Sequence, residues 1–222
     1  MSIVVLGINH KSAPVEIREK LAFDASQVTA ALGRLKEMER EAEFVLLSTC
    51  NRVELYYAGA QDLLQIAGRL VAFLSDFHGV APEQFKPVLY LHENEEAVRH
   101  LLLVAAGLDS MVVGEAQILG QVKNSYKLAC AVQSTGKTLN RLFHCAFFTA
   151  KNVHTNTAVS NGRVSVAGVA VELALQLFAD LTRARVVVIG AGATEAAKLV
   201  GTILRRAHEI SCAARQEGEP RE

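Results

Sequence analysis

Four cysteines, at positions 50, 130, 145 and 212, are the side chains best suited to covalent chemistry. They form no CxxC pair and no short spacing, which argues against a disulfide frame or a zinc knuckle, and no metal site is expected. Cys50 stands apart from the other three. It lies in Ser48-Thr49-Cys50-Asn51-Arg52, a polar connection between two apolar runs. A loop held by a rigid sheet is a common seat for a nucleophile. The thiolate is the reactive form, and a neighbouring cation or helix dipole lowers a thiol pKa from about 8.5. Arg52 is such a cation, and its guanidinium could also clamp a carboxylate bidentately. An idle, packed thiol fits the same residues, so the turn alone leaves both readings open. Cys130 and Cys145 fall in helical stretches and Cys212 ends an expected strand over 209–212; all three read as packing.

Other residues invite chemistry less directly. His100 sits among Leu101, Leu102 and Val104 in an expected helix over 94–106, and by itself reads as a core or surface histidine. His92 precedes that helix and could cap it. Between Gly107 and Gln121, polar Asp109, Ser110, Glu115, Gln117 and Gln121 alternate with apolar residues around three glycines. Such a loop could cradle a small polar ligand or cap two helices. Further on, VVVIGAG has the strand, Gly-x-Gly and helix order of a dinucleotide site. Gly190 permits the tight turn, and Gly192 lets backbone approach a pyrophosphate at the helix N-terminus. Glu195 stands where the usual third glycine would be, and a purely structural turn is the alternative. The stretch from Gly190 to Glu222 amounts to about one βαβ unit, so the nicotinamide half of a dinucleotide domain does not fit in this chain.

The elements that must carry these residues can be read from periodicity. Residues 3–7, 43–47, 54–58 and 88–91 read as strands. Asp24, with Gln27 three residues later, opens a helix to about Met38 whose Val28, Ala31, Leu32 and Leu35 share one face. Asp62 opens another to about Phe77. The order βαββαβ is the split-βαβ, ferredoxin-like pattern. From Asn94 to about Asp180 the chain reads as almost wholly helical, with 164–181 as a connecting helix, followed by an apolar strand over 185–189. The expected class is therefore α+β with an α/β end: a ferredoxin-like domain with a helical extension, a long connecting helix and the beginning of a Rossmann-type nucleotide domain. The expected division is 1–157 and 158–222.

Composition sets the outer bounds. The chain has 222 residues, half of them hydrophobic, with a mean hydropathy of +0.22, enough for a sizeable core. Lys and Arg number 23 against 23 Asp and Glu, so no global basic field exists and any RNA must meet a local patch. No apolar run is long enough for a membrane span. The start, MSIVVLGINH, lacks the basic and apolar regions of a secretory signal. With no paired cysteines, a reducing cytoplasm is the expected compartment.

Taken in order, GINHKSAPVEIREKLAF, LLSTCNRVELY, GLDSMVVGEAQILGQVK, VSVAGVAVELA and VVVIGAGATE resemble the glutamyl-tRNA reductase family from Met1 to about Arg215. The resemblance implies NADPH-dependent reduction of glutamyl-tRNA to glutamate-1-semialdehyde, the first step of the five-carbon route to haem and other tetrapyrroles. It implies that Cys50 is the nucleophile that forms a glutamyl thioester and that His100 is an acid or base near the scissile ester. Thr49, Asn51 and Arg52 would form the substrate loop, with Arg52 on the glutamate γ-carboxylate. Ser110, Glu115, Ala116, Gln117 and Gln121 fall on glutamate-recognition positions. Gly190, Ala191, Gly192, Ala193, Thr194 and Glu195 match the NADPH phosphate loop. The sequence departs from the family at Leu103 and His154, where arginines are usual, and at Ala116, where proline is usual. The rest of the nucleotide domain and the dimerisation domain are expected to be absent. Full-length members would be homodimers and this chain a monomer, able to acylate Cys50 or hydrolyse the ester while reducing weakly. The competing expectation is a truncated, non-reducing paralogue that binds tRNA or a partner protein.

Overall fold

The computed structural model describes residues 2–115 and 117–160, together with 173 and 177. The chain divides into two compact units, Met1–Ser160 and Asn161–Glu222. The first contains β1 (Ser2–Asn9), α1 (Val15–Lys20), α2 (Ala25–Met38), β2 (Glu43–Ser48), β3 (Arg52–Gly59), α3 (Leu63–His78), α4 (Pro82–Phe85), β4 (Tyr90–Glu93), α5 (Glu95–Ala105), α6 (Gln117–Ala131) and α7 (Lys137–Asn156). It is a mixed α/β unit built on one four-stranded sheet of order β2-β3-β1-β4, with antiparallel neighbours throughout. The expected connecting helix over 164–181 and the strand over 185–189 lie outside the described residues, except that Leu173 and Leu177 are helical and exposed.

Local sequence explains most of these elements. Asp24 and Gln27 form a reciprocal capping box at the start of α2, and Val28, Ala31, Leu32 and Leu35 are its buried stripe, as the spacing predicts. The Asp62 side chain accepts from Leu64 N–H at the start of α3, and Gly79 closes that helix in the left-handed region. The fourth strand begins two residues later than periodicity places it. Pro87 closes a 3-10 turn over Lys86–Val88, and Leu89 N–H is spent on the Lys86 carbonyl, so pairing with β1 starts at Tyr90. His92 is a strand residue rather than a cap. Asn94 takes the N-cap position of α5, and its side chain bonds back to Ile3 N–H. Residues 106–115 are not helical, in keeping with the loop expected after the 94–106 helix.

Every residue of β3 is buried, so both faces of the sheet are covered. Val53, Leu55 and Tyr57 face one way, with α2 and α3 packed on the sheet. Arg52, Glu54 and Tyr56 face α5 and α7, where Tyr56 meets Phe143 edge-on at 5.3 Å. The α7 N-terminus is fixed from a distance. Glu43, at the start of β2, accepts from the N–H groups of Gly136, Thr138 and Leu139 at 2.7–2.9 Å, an acidic cap supplied by the sheet.

Candidate active site

Alternation in β3 puts Arg52, Glu54 and Tyr56 on one face, and the register places Glu54 opposite Gly7, which in turn lies opposite Tyr90. A Cβ at residue 7 would stand 2.6 Å from the Val53 carbonyl and 2.9 Å from Glu54 Cγ, so the glycine leaves room for the Glu54 side chain to lie across β1. Glu54 Oε1 accepts from Arg52 Nη1 and Tyr90 Oη, both at 2.6 Å, and lies 2.9 Å from His100 Nε2 on α5. Oε2 accepts from Tyr56 Oη at 2.5 Å. Arg52 continues to the Asp109 carbonyl at 2.6 Å and to Asp109 Oδ2 at 3.2 Å, and Lys11 closes on Asp109 Oδ1 at 2.5 Å. Two cations and two carboxylates therefore balance in a cluster where Arg52 and Glu54 are 1% and 0% exposed.

The electrostatics are set by that geometry. Burial alone would raise the Glu54 pKa. The Arg52 charge and the His100 and Tyr56 hydrogen bonds overcome it and hold the carboxyl well below its ordinary range. Burial and the Glu54 charge push the Tyr56 and Tyr90 phenols up, so both stay donors. An ionised carboxylate only accepts, so His100 Nε2 must carry a proton towards Glu54. For Asp109, burial also opposes ionisation, but Lys11 and Arg52 outweigh it and its pKa falls. His10 is lowered by burial first, then by Arg52 and Lys11, and its Nδ1 is buried with no partner among the described residues.

The Cys50 turn lies at the end of the same strands. Thr49 Oγ1 accepts from the N–H groups of Asn51 and Arg52, each at 3.1 Å, and Thr49 N–H donates to the Arg52 carbonyl at 2.8 Å. From outside, Arg18 of α1 donates to the Cys50 carbonyl at 2.6 Å and to Asn51 Oδ1 at 3.3 Å. His10 N–H donates to the Asn51 carbonyl at 2.9 Å. Cys50 is exposed. The turn is thus pinned by its own threonine, by Arg18 and by the Asn9–Lys11 turn, whose exposed Lys11 also reaches Asp109 at the edge of the cluster.

A second loop meets the cluster through Asp109. It closes where Gly114 N–H donates to the Gly107 carbonyl at 2.9 Å, with both glycines at positive φ. Within it, Ser110 is buried and its Oγ has no hydrogen-bond partner among the described residues. Such an orphaned hydroxyl points to a ligand or a water.

A family model described as glutamyl-tRNAGlu reductase, N-terminal domain, matches residues 6–157. The chain belongs to the glutamyl-tRNA reductase family. The glutamyl-tRNA reductase of Geobacter sulfurreducens is 50% identical over 192 residues, 86% of this chain and 44% of that relative. That of Marinobacter nauticus is 47% identical over 194 residues, 87% of this chain and 44% of the relative. The solved glutamyl-tRNA reductase from Methanopyrus kandleri superposes with a TM-score of 0.62 at 36% identity, covering 86% of this chain and 44% of the other. The chain thus spans less than half the length of these relatives.

Within the range matched by the glutamyl-tRNA reductase model, the expected site residues fall into two groups. Arg52 and His100 meet on Glu54, and Arg52 reaches the Ser110 loop through Asp109. Thr49, Cys50 and Asn51 form the pinned turn, joined to that cluster through the Arg52 backbone. Arg52 is not in the polar connection where periodicity puts it: it is the first residue of β3 and fully buried. Glu115 is half-buried at the loop's end, and Ala116 lies outside the described residues. Gln117 and Gln121 belong to the first turns of α6 rather than to the loop, Gln117 exposed and Gln121 half-buried. Where the family's usual arginine is His154, Nε2 lies 2.9 Å from the Ala106 carbonyl and ties α7 to the loop. Cys145 is exposed, not packed, because it lies on the outer arc of α7; Cys130 is half-buried, and Cys212 lies outside the described residues. Gly190 to Glu195 also lie outside them.

Glu54, Tyr90, His10, Lys11 and Arg18 complete the site and are not singled out by type or spacing. The signal available for them is the alternation of Arg52, Glu54 and Tyr56 in an otherwise apolar strand. Among the described residues no group of His, Cys, Asp and Glu could hold a metal ion, and no helix is long and apolar enough to cross a membrane.

Proposed function

We propose that this chain carries the acyl-transfer half of glutamyl-tRNA reduction, the first step of the five-carbon route to tetrapyrroles. The observation that carries the reading is an exposed Cys50 on a turn pinned by Thr49 and Arg18, two residues from Arg52 of a buried Arg52–Glu54–His100 cluster. The Cys50 sulfur, as thiolate, attacks the carbonyl of the glutamyl ester. A C–S bond forms, the C–O bond to the terminal ribose breaks, and the leaving ribose oxygen takes a proton. His100, its Nε2–H held by Glu54, is assigned to that transfer: Nδ1 takes the proton that the Cys50 thiol loses and gives it to the leaving ribose oxygen. Arg18 holds a positive charge against the turn, and a cation beside a thiol favours the thiolate. The glutamate γ-carboxylate is assigned to Lys11 and Arg18 at the surface of the site, while the buried Arg52 holds the Asp109 loop and Ser110 Oγ offers an unspent hydrogen bond within it.

NADPH, held by residues Gly190 to Glu195, would supply the hydride that releases the thioester as an aldehyde. The fold reading behind this proposal treats residues 1–157 as a ferredoxin-like catalytic domain with a helical extension. The βαββαβ order and the antiparallel order β2-β3-β1-β4 support it. Residues 158–222 are read as the connecting helix and the opening of a Rossmann-type domain.

The test is single-turnover labelling. The chain is mixed with tRNA carrying radiolabelled glutamate, then quenched in acid. A hydroxylamine-labile label on Cys50 is expected in the wild type and none in Cys50→Ala. Label persisting in Cys50→Ala, or its absence from a folded wild type, refutes the reading.

A further inference from the structure

Charge is distributed along this neutral chain in blocks. Residues 2–115 contain sixteen Asp and Glu against ten Lys and Arg. From 116 to 171 there are six Lys and Arg and no Asp or Glu. The described part of that segment is essentially α6 and α7. Its five cations, Lys123, Lys127, Lys137, Arg141 and Lys151, are all exposed, and none pairs with a carboxylate among the described residues.

Helical geometry gathers them. On α7, Lys137, Arg141, His144, Phe148 and Lys151 recur at intervals of three and four and share the exposed arc, opposite the buried Leu139, Leu142, Phe143, Ala146 and Ala150. On α6, Lys123 and Lys127 are one turn apart. The seam between the helices lies alongside: Tyr126 Oη meets Asn140 at 3.1 Å and His144 at 3.2 Å, and Lys123 Nζ sits 5.8 Å from the Phe147 ring. Phe148 is 68% exposed in the middle of the basic arc. A surface that is positive without internal pairing, and interleaved with aromatic and histidine rings, matches a phosphate backbone with accessible bases.

We infer that the α6–α7 face is the docking surface for the RNA backbone of the substrate. This rests on the function proposed above for the RNA itself, while the choice of surface rests on the unpaired charge and the exposed rings of these two helices. Each phosphate neutralised by a Lys or Arg releases counterions, so log affinity falls with log salt by about 0.7–0.9 per contact.

The experiment compares two fourfold variants of the full 222-residue chain in binding an unacylated tRNA transcript by fluorescence anisotropy, across a salt series. The first is Lys127→Gln/Lys137→Gln/Arg141→Gln/Lys151→Gln. The second, Lys20→Gln/Arg40→Gln/Lys86→Gln/Arg99→Gln, removes the same charge from exposed sites in residues 2–115. For the first, the salt slope is expected to drop by about 3 and the affinity at 0.1 M salt by about a thousandfold. The second should stay within about threefold of wild type. Equal weakening of both, unchanged binding by the first, or no RNA binding by the wild type overturns the inference. So does capture of the wild type by phosphatidylserine vesicles in preference to the RNA. Acyl capture from a small glutamyl thioester keeps the two proposals apart. A first variant that loses RNA yet still acylates Cys50 supports the surface, whereas a wild type that binds RNA through this face but never acylates refutes the function alone.

Discussion

Replacing Glu54 with Gln tests the buried cluster most directly. The side chain keeps its volume and one acceptor oxygen but loses its charge. Arg52, 1% exposed, then retains Asp109 alone, through its carbonyl at 2.6 Å and a partly solvated carboxylate oxygen at 3.2 Å. Removing one partner of a buried ion pair costs about 3–5 kcal/mol. The surviving Asp109 contact and the absence of a cavity set the expectation for Glu54→Gln at the low end, about 3 kcal/mol. With a urea slope of about 2 kcal/mol/M, the midpoint should fall by about 1.5 M. The sequence has no Trp, and its four tyrosines, 56, 57, 90 and 126, all lie in Met1–Ser160. Tyrosine emission therefore follows that unit alone. In a double-mutant cycle with Arg52→Gln, the two losses should fall well short of additivity, since either change breaks the same pair. A Glu54→Gln protein within about 0.5 kcal/mol of wild type, a typical surface-substitution effect, would show that the cluster contributes no net stability.

Three further outcomes are expected from the same contacts. Gly7→Ala drives a Cβ into the Val53 carbonyl and Glu54 Cγ, so a loss of about 1–3 kcal/mol is expected in thermal melts, as for other overpacked sites. Glu43→Ala strips three N–H groups at the start of α7 of their acceptor and should cost about 2 kcal/mol, the upper range for lost caps, with Glu43→Gln intermediate in urea titrations. Acid should destabilise the fold through Glu54 and Asp109, whose native pKa values are depressed. Their contribution is complete above the unfolded carboxyl values of about 4 and is lost as pH falls towards the native ones, so the urea midpoint should be flat above about pH 5 and decline below it. A midpoint unchanged down to about pH 3 would contradict the assigned ionisation.

The elements most legible in the sequence are those with a local cause. The Asp24–Gln27 box and the Val28, Ala31, Leu32, Leu35 stripe define α2 by themselves, and Asp62 marks α3. Less legible is whatever depends on pieces that meet only in three dimensions. Arg52, Glu54 and Tyr56 alternate as a solvent-facing strand would, because alternation cannot tell water from covering helices that balance charge internally. His100 resembles any histidine in an apolar helix until its register against Glu54 is known. Likewise α1 buries no side chain of its own and gives no apolar period to detect. Cys145 shows the reverse: a helical context suggests packing, but the outer arc of α7 is open to solvent.

The small size of α1 has a kinetic consequence. Six residues without a buried side chain hold the reactive turn from outside through one guanidinium. Fraying of so short a segment lies at the inexpensive end of the native ensemble, far below global unfolding. Each release frees the Cys50 carbonyl and Asn51 Oδ1 from Arg18 and loosens the turn beneath an exposed sulfur, so the rate at which the thiol is modified should respond to changes at Arg18 even where the melting temperature does not.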